Sequence, residues 1–574
     1  YILLTINPLH IFPTNVSSRR KLTLTISSRF QGWNDVSFHG SDQIHTPNID
    51  TLAYQGVVLQ QYYSEAICTP ARTALLTGKY PMRLGEPIFV ICWARRIEVQ
   101  LLPAYLKELG YSTHLVGKWH VGMSMEEYLP TARGYDSHYG MHGGFVDYYT
   151  YNKVETVSIG RYVVFTSPVF ATVLYSIYII HRHNTSRPLF LHVTHNAPHA
   201  GNAGGAVQPP LHGSVKNRHI ANSNRRLYAE VVTHLDRSVG KIVTALAENG
   251  MLDDTMIVFI SDNGAPTVGQ FSNWGVNLPF RGIKETPWEG SVRVPAIIWH
   301  SDFRPRVWDG LFHITDWLPT LLAAAGGKVS AEIDGMNQWD SIIQDGESQR
   351  KEVLVTIEDG MQNRFAAYRA GDYKIVVGNV TGLNNGYYGA RLVVNKMPPP
   401  EYFPALRACE VAKTVISMLP DVSSYILQTE IKRVIFNRNR ILTSFYIPAR
   451  GCLYNVRRDP SESHDLWLRA SKIASLLTSR LRGLWSQQLR RGPINAQDAA
   501  DPANFSYIWM PWISESQERR IEQTLTQVQN RTRPNGTTGN LALVRYTNTT
   551  VAGQIDCESP TNVRNFLCIL RSVF

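Results

Sequence analysis

No stretch of this 574-residue chain interleaves basic side chains with aromatics, which removes the usual footprint of a nucleic-acid binder. The net charge of +11 and the pI near 9.2 are read instead as solvated surface, or as a match to a polyanionic partner such as a sulfated glycan. No internal repeat is present, so a solenoid or other repeat array is excluded. The chain opens at Tyr1 without an initiator methionine or the positive, apolar and small-residue order of a signal peptide, and its start is expected to be truncated or misread. Residues 162–180 carry no formal charge and have a length that could just span a bilayer. Thr166, Ser167, Pro168, Thr172 and Ser176 dilute the run, and no stable membrane span is expected.

Cysteines number only six: Cys68, Cys92, Cys409, Cys452, Cys557 and Cys568. If one is chemically modified, five remain, and an odd count leaves a thiol unpaired. Seven Asn-x-Ser/Thr sequons, at Asn15, Asn184, Asn379, Asn504, Asn530, Asn535 and Asn548, favour the secretory route and an oxidising compartment.

What is present in quantity is apolar side chain, 44% of the sequence, on a chain longer than one ordinary domain. Thr46 and Pro47 start a helix with a cap and a first-position proline, and residues 56–59 follow as a strand. Leu101, Leu102, Tyr105, Leu106 and Leu109 recur at helical spacing before Gly110, then residues 112–116 read as a strand. Residues 188–193 and 256–260 are buried-strand candidates. Between them apolar residues at 227, 231, 235, 239, 242, 243 and 246 form one helical face that ends at Gly250. This alternation predicts an α/β fold with a largely parallel sheet covered on both faces.

Three short motifs carry chemistry. Residues 69–77, with Pro70 in the first turn and Gly78 after the last apolar residue, predict a helix, and Cys68 then sits where unpaired N–H groups favour negative charge. A buried cysteine acting as a small hydrophobe is the plain alternative. Lys118 and His120 stand two residues apart, so on an extended segment they project to one face. Asp262 and Asn263 fall just beyond a strand's carboxyl end, where open α/β sheets carry ligands, although Asp-Asn-Gly is also a common turn.

Cys68-Thr69-Pro70-Ala71-Arg72 with Leu75-Leu76-Thr77-Gly78-Lys79-Tyr80 resembles the signature of the type I sulfatases. Gly117-Lys118-Trp119-His120, Ser261-Asp262-Asn263-Gly264, Gly282-Ile283-Lys284, Trp288-Glu289-Gly290 and His313-Ile314-Thr315-Asp316-Trp317-Leu318-Pro319-Thr320 continue the likeness in the family's order. The wording is nearest the arylsulfatase B, or N-acetylgalactosamine-4-sulfatase, branch in an arthropod-like form. The resemblance implies an alkaline-phosphatase-like α/β fold, with a large mainly parallel sheet covered by helices and a smaller C-terminal α+β domain. The expected divisions are 1–30 as a non-native leader, 31–365 as the catalytic domain, 366–515 as the smaller domain and 516–574 as a loose tail.

The same resemblance implies a sulfuric ester hydrolase in which a formylglycine-generating enzyme oxidises Cys68. Arg72 and a Ca²⁺ ion held by Asp262, Asn263 and the modified Cys68 would stabilise charge on oxygen. Lys118 would hold sulfate oxygens, His120 would act as base, and His199 would contact the sulfate, with His195 as the alternative. Lys284 would grip the sulfate or the leaving oxygen. The implied substrates are sulfated glycans, N-acetylgalactosamine 4-sulfate units above all, or aryl sulfates, and the implied location is lysosomal or secreted. Cys409 and Cys452 would pair by analogy with a family disulfide. A non-catalytic binder of sulfated glycans and a phosphoester hydrolase of the same superfamily are the alternatives.

One departure bears on activity. Family members carry two metal-binding aspartates before the Gly-Trp-Asn-Asp stretch, whereas this chain reads Ser28-Arg29-Phe30-Gln31-Gly32-Trp33-Asn34-Asp35. Two anionic ligands are replaced by a cation and a phenyl ring, and Ca²⁺ binding is expected to collapse. Asp35 and Asp42 align elsewhere and are not expected to rescue it. The likeness also lapses at about 86–100 and 155–180 and then recovers, a pattern expected of misread segments.

Overall fold

The computed structural model describes residues 22–28, 31–84, 99–149, 152–153, 162–163, 169–201, 207–209, 217–269, 272–359, 364–379, 389–418, 450–488 and 511. Eight strands form the large sheet: β1 (Leu22–Ser28), β2 (Val57–Tyr63), β3 (Ser112–Lys118), β4 (Ser137–Met141), β7 (Leu189–Thr194), β8 (Thr255–Ser261), β9 (Ala296–Trp299) and β10 (Arg306–His313). The pair β5 (Asn152–Lys153) and β6 (Tyr162–Val163) stands apart from it. The spatial order is β10-β2-β9-β8-β1-β7-β3-β4, parallel throughout except at β9, which runs against both neighbours.

Strand alternation places the core on both faces. Ile257 and Phe259 of β8 point to one side with Leu24 and Ile26, while Met256, Val258 and Ile260 point to the other. The first face is covered by α1 (Pro47–Tyr54), α4 (Val169–Arg182) and α5 (Ser223–Glu248), joined by α9 (Tyr402–Ala408) and α10 (Glu410–Met418). The second is covered by α2 (Cys68–Thr77), α3 (Leu102–Glu108), α7 (Trp317–Ala324) and α8 (Trp339–Ile343). The predicted α/β sheet is therefore present, with one antiparallel strand that continuous apolar runs could not reveal.

Two helix expectations change in detail. Thr46 makes no capping bond at α1; its hydroxyl donates to Asp50 Oδ1 at 2.7 Å instead. Helix α5 starts four residues earlier than the apolar pattern implies, with Asn222 accepting from Arg225 N at 2.9 Å, and Leu227 lies exposed rather than on the buried face. The uncharged run at 162–180 supplies α4, whose Val173, Ile179 and Ile180 are buried while Leu174 and Tyr178 face solvent. Among the described residues no helix is long and apolar enough to cross a membrane.

A second, antiparallel sheet orders β11 (Glu352–Asp359), β12 (Arg364–Ala370), β13 (Tyr373–Asn379) and β14 (Cys452–Asn455). One face packs Leu354, Ala366, Tyr368 and Leu453 under Leu477, Leu481 and Leu484 of α11 (Ser471–Trp485). Leu476, next to Leu477 on the same helix, is exposed. The other face meets Tyr63, Ile67, Trp288 and Val292 of the large unit. Between the sheets Lys374 Nζ, fully buried, lies 3.0 Å from Glu289 Oε1 and 2.8 Å from Glu462 Oε1, and Glu289 belongs to the short helix α6 (Glu289–Val292).

The expected Cys409–Cys452 disulfide is not formed. Cys409 packs beside α1 with its Sγ 3.4 Å from the Pro47 carbonyl, whereas Cys452 opens β14 in the core of the smaller sheet. Both are buried free thiols belonging to separate cores. Cys92, Cys557 and Cys568 lie outside the described residues, as do Arg29 and Phe30.

Candidate active site

The carboxyl ends of β2, β3 and β8 deliver the predicted residues. Helix α2 begins at Cys68 itself, one residue earlier than expected, with Ile67 extended before it. Its other end closes on Gly78, left-handed at φ 66°, whose N–H reaches the Ala74 carbonyl at 2.9 Å. The Cys68 side chain is buried at the positive end of this ten-residue helix.

One turn on, Arg72 is buried and bridges two strand ends. Its Nη1 donates to the Lys118 carbonyl at 3.0 Å, and its Nη2 lies 3.4 Å from Asp262 Oδ2. Ser64, in the turn between β2 and α2, donates to the Asp262 carbonyl at 2.5 Å. Asp262 is thus held by its side chain and its backbone. Asn263 is fully buried, and among the described residues its Oδ1 has no hydrogen-bond partner while its Nδ2 donates to the Gly264 carbonyl at 2.8 Å.

Lys118 is fully buried at the end of β3. Gly117 before it adopts φ 113°, and a Cβ there would run into the Thr194 carbonyl of β7, so only glycine lets the strands close at this point. His120 follows with φ 59°, a left-handed conformation unusual for a side-chain-bearing residue. Its N–H is taken by the His142 carbonyl at 2.9 Å, and its Nδ1 is 3.2 Å from Thr69 Oγ1.

Lys284 ion-pairs with Glu285. Burial alone would lower the Lys284 pKa, but the carboxylate of Glu285 and the negative charges available at Cys68 and Asp262 raise it, so the ammonium form is held. Lys284 therefore shares the electrostatic neighbourhood of Cys68.

The two histidine alternatives separate clearly. His195 is fully buried, neither ring nitrogen has a hydrogen-bond partner among the described residues, and burial drives its pKa down to about 4. His199 donates from Nδ1 to the Ala200 carbonyl at 2.6 Å and lies flat against Phe145, with centroids 5.1 Å apart and planes 14° from parallel. Phe145 and Thr69 were not singled out by sequence reasoning. Thr69 was legible within the Cys68 motif, but nothing in the spacing of Phe145 marks it. Glu65, also missed, is buried before α2 with Oε1 3.8 Å from His313 Nε2, and burial pushes its pKa up to about 8.

A calcium ion needs six to eight oxygens at about 2.3–2.6 Å. Asp262 and Asn263 provide one carboxylate, already neutralised by Arg72, and one unpartnered amide oxygen. Among the described residues no three His, Cys, Asp or Glu side chains gather as a metal cluster. Asp35 offers no substitute, because its oxygens serve Arg225 at 2.5 Å, Tyr228 at 2.7 Å and Gly32 N at 2.8 Å. The donor set among the described residues does not fit Ca²⁺.

A family model described as Sulfatase matches residues 25–327, more than half of the chain. Arylsulfatase J of Mus musculus is 36% identical over 349 residues, covering 57% of this chain and 56% of that protein. N-acetylgalactosamine-6-sulfatase of Homo sapiens is 31% identical over 346 residues, covering 54% and 64%. The chain thus spans between half and two thirds of the length of these relatives. These relatives show the sulfatase family and do not show the narrower arylsulfatase B branch. The crystal structure of Ps i-CgsB in complex with k-i-k-neocarrahexaose superposes with a TM-score of 0.63 at 22% identity, covering 90% of this chain and 100% of that one, a likeness of fold. The family match spans the strand ends and turns that gather Cys68, Arg72, Lys118 and Asp262, and on that ground the chain belongs to the sulfatase family.

Proposed function

We propose that this chain acts on sulfate esters, with residue 68 as the nucleophile after oxidation of Cys68 to formylglycine by the dedicated modifying enzyme. The observation that carries the reading is the placement of Cys68 as the first residue of α2, with Arg72 one turn away reaching the ends of β3 and β8 and Lys284 within its electrostatic range. In the modified form, one hydroxyl of the hydrated aldehyde attacks sulfur and the other, on losing its proton, expels sulfate. Lys118 and Lys284 bind and orient the anionic oxygens in a site with little water, where fixed charges act strongly. Lys284, kept protonated by its neighbours, gives a proton to the departing alcohol. His120, steadied by Thr69 and the His142 carbonyl, takes the hydroxyl proton at residue 68. His199 contacts the sulfate. The metal candidates Asp262, Asn263 and Cys68 do not complete a calcium shell, and no step is routed through a metal.

For substrate we propose N-acetylgalactosamine 4-sulfate units of glycosaminoglycans, or aryl sulfates, and for location the lysosome or the secreted fraction. The relatives' names support aryl sulfates and sulfated N-acetylgalactosamine as the substrate class without placing the sulfate at position 4, and the seven sequons support the secretory route. Hydrolysis of an aryl sulfate by the full chain, coexpressed with the modifying enzyme and compared with Cys68→Ala, tests it. Turnover lost in the variant supports the reading, and equal turnover overturns it. A second reading, a non-catalytic binder of sulfated glycans, is favoured by the Arg72–Asp262 pair and by Arg29 and Phe30 in the sequence. Glycan binding without hydrolysis in correctly modified protein would select it. Phosphoester hydrolysis with Cys68 left as a thiol, visible by peptide mass, would select the superfamily alternative.

A further inference from the structure

Helix α4 ends at Arg182, and the chain reaches β7 at Leu189 through a turn in which Asn184, Thr185, Ser186 and Arg187 are all exposed. Two bonds shape it. Arg187 N donates to the Asn184 carbonyl at 3.0 Å and closes a four-residue turn, while Ser186 N donates to Asn184 Oδ1 at 3.0 Å and sets an Asx turn inside it. The Asn184 amide thus engages its acceptor and keeps its donor. Among the described residues neither Asn184 Nδ2 nor Ser186 Oγ has a hydrogen-bond partner. Asn184-Thr185-Ser186 is one of the seven Asn-x-Ser/Thr sequons, and the one whose asparagine and serine side chains both belong to the described residues.

We propose that Asn184 is the acceptor of an N-linked glycan. This rests on the reading that the protein travels the secretory route, where a transferase and a lipid-linked oligosaccharide supply the sugar. In the transfer, Asn184 Nδ2 bonds to the anomeric carbon of the oligosaccharide, the bond from that carbon to the lipid diphosphate oxygen breaks, the lipid diphosphate departs, and one amide proton passes to a base of the transferase. Ser186, two residues on, supplies the hydroxyl that the sequon requires. A hydrated sugar chain cannot enter a close-packed core, so only an asparagine on the folded surface can hold one. Asn184 meets that condition. It also precedes the amino end of β7, whereas Lys118 and Asp262 stand at the carboxyl ends of β3 and β8, which run parallel to β7 in the same sheet. The strand between spans roughly 20 Å, so a glycan on Asn184 leaves from the end of the sheet opposite the candidate active site.

The test expresses the full chain behind a cleavable leader that takes it into the secretory route of cultured eukaryotic cells, alongside Asn184→Gln, Ser186→Ala and Ser186→Thr. Enzymatic release of glycans in ¹⁸O water converts each modified asparagine to labelled aspartate, and peptide mass spectrometry then reads the occupancy of Asn184. Sugar is expected on more than about half of the molecules, with at least about a tenfold drop in Ser186→Ala and no drop in Ser186→Thr. Asn184→Gln should shorten the secreted protein by one glycan on a denaturing gel. An unmodified Asn184 in the secreted chain overturns the proposal, and so does label that persists in Ser186→Ala, which would mark deamidation instead of transfer. Because the leader delivers the chain whatever its own address, these outcomes judge Asn184 alone. Protein isolated from its source and bare at every sequon, with Asn184 occupied in the led chain, would instead overturn the secretory reading.

Discussion

Arg72 reaches Lys118 through the backbone, donating to its carbonyl at 3.0 Å, while its second Nη lies 3.4 Å from the Asp262 carboxylate. One planar guanidinium thereby ties the helix that starts at Cys68 to the ends of two non-adjacent strands, β3 and β8. A lysine could supply the charge but not the fork.

Removing that fork takes the ion-pair partner at 3.4 Å away from buried Asp262. Arg72→Ala is expected to cost about 3–5 kcal/mol of stability, the usual result of orphaning one member of a buried pair. Arg72→Lys should lose less stability yet keep little hydrolysis, because the tie to the Lys118 carbonyl goes. Denaturant melts combined with aryl-sulfate assays check both; a Lys variant with full activity would show the bridge to be dispensable.

Gly117 and Gly110 both adopt positive φ, at 113° and 87°, but only Gly117 faces a wall. Gly117→Ala must push the Thr194 carbonyl away and break the β3–β7 edge, at a cost of about 2 kcal/mol or more on top of the dihedral strain. Gly110→Ala has open space and should cost only about 1–2 kcal/mol from the left-handed backbone. Equal losses in thermal melts of the two variants would remove the close approach as the reason for glycine in the Gly-Lys-Trp-His motif.

Glu65 gives a pH signature of known sign. Burial raises its pKa from the ordinary 4.5 to about 8, so between those values the folded protein holds a proton that the unfolded chain releases. Its contribution is fully present below about 4.5 and is lost as pH rises to about 8. Asp50 and Asp236, raised to about 6 and about 7, act in the same sense, while His195, lowered from 6.5 to about 4, acts in the opposite one as pH falls. Comparison with Glu65→Gln isolates the residue: between pH 5 and 8 the melting temperature of the unsubstituted protein should fall relative to the variant by at least about 2 °C. Parallel melting curves would mean that Glu65 titrates normally.

Calcium supplies the fourth expectation. With Arg29 and Phe30 in the sequence and Asp262 held by Arg72, millimolar Ca²⁺ or EDTA should leave the melting temperature unchanged to within about 1 °C. Introducing Arg29→Asp with Phe30→Asp should create a Ca²⁺-dependent rise. A rise in the unsubstituted chain would overturn the poor fit between these donors and the ion.

Apolar patterning made β2, β3, β7, β8, α3 and α5 legible, because burial on a sheet face or a helix stripe writes itself into residue type. It could not show that β9 reverses, since a buried strand has the same composition in either direction. The site divides in the same way. Cys68, Arg72, Lys118 and Asp262 belong to compact motifs, and Arg72 meets the Lys118 carbonyl and Asp262, whereas Phe145 and Glu65 act through tertiary neighbours, His199 and His313, far away in sequence. The Cys409–Cys452 pairing failed for the converse reason: separation along the chain carries no information on which core each thiol enters.

The buried trio of Lys374, Glu289 and Glu462 makes the two sheets one inseparable machine part. Glu289 lies on the same short stretch of chain as Lys284, so the stretch is tied to the smaller sheet at one end and carries at the other an ammonium within electrostatic range of Cys68. A lesion in β13 or in the turn at Glu462 is then transmitted to the nucleophile's surroundings without touching them. Remote substitutions in the C-terminal sheet should accordingly behave as lesions of the reaction centre, and the larger sheet cut free of its companion is no stand-in for the intact molecule.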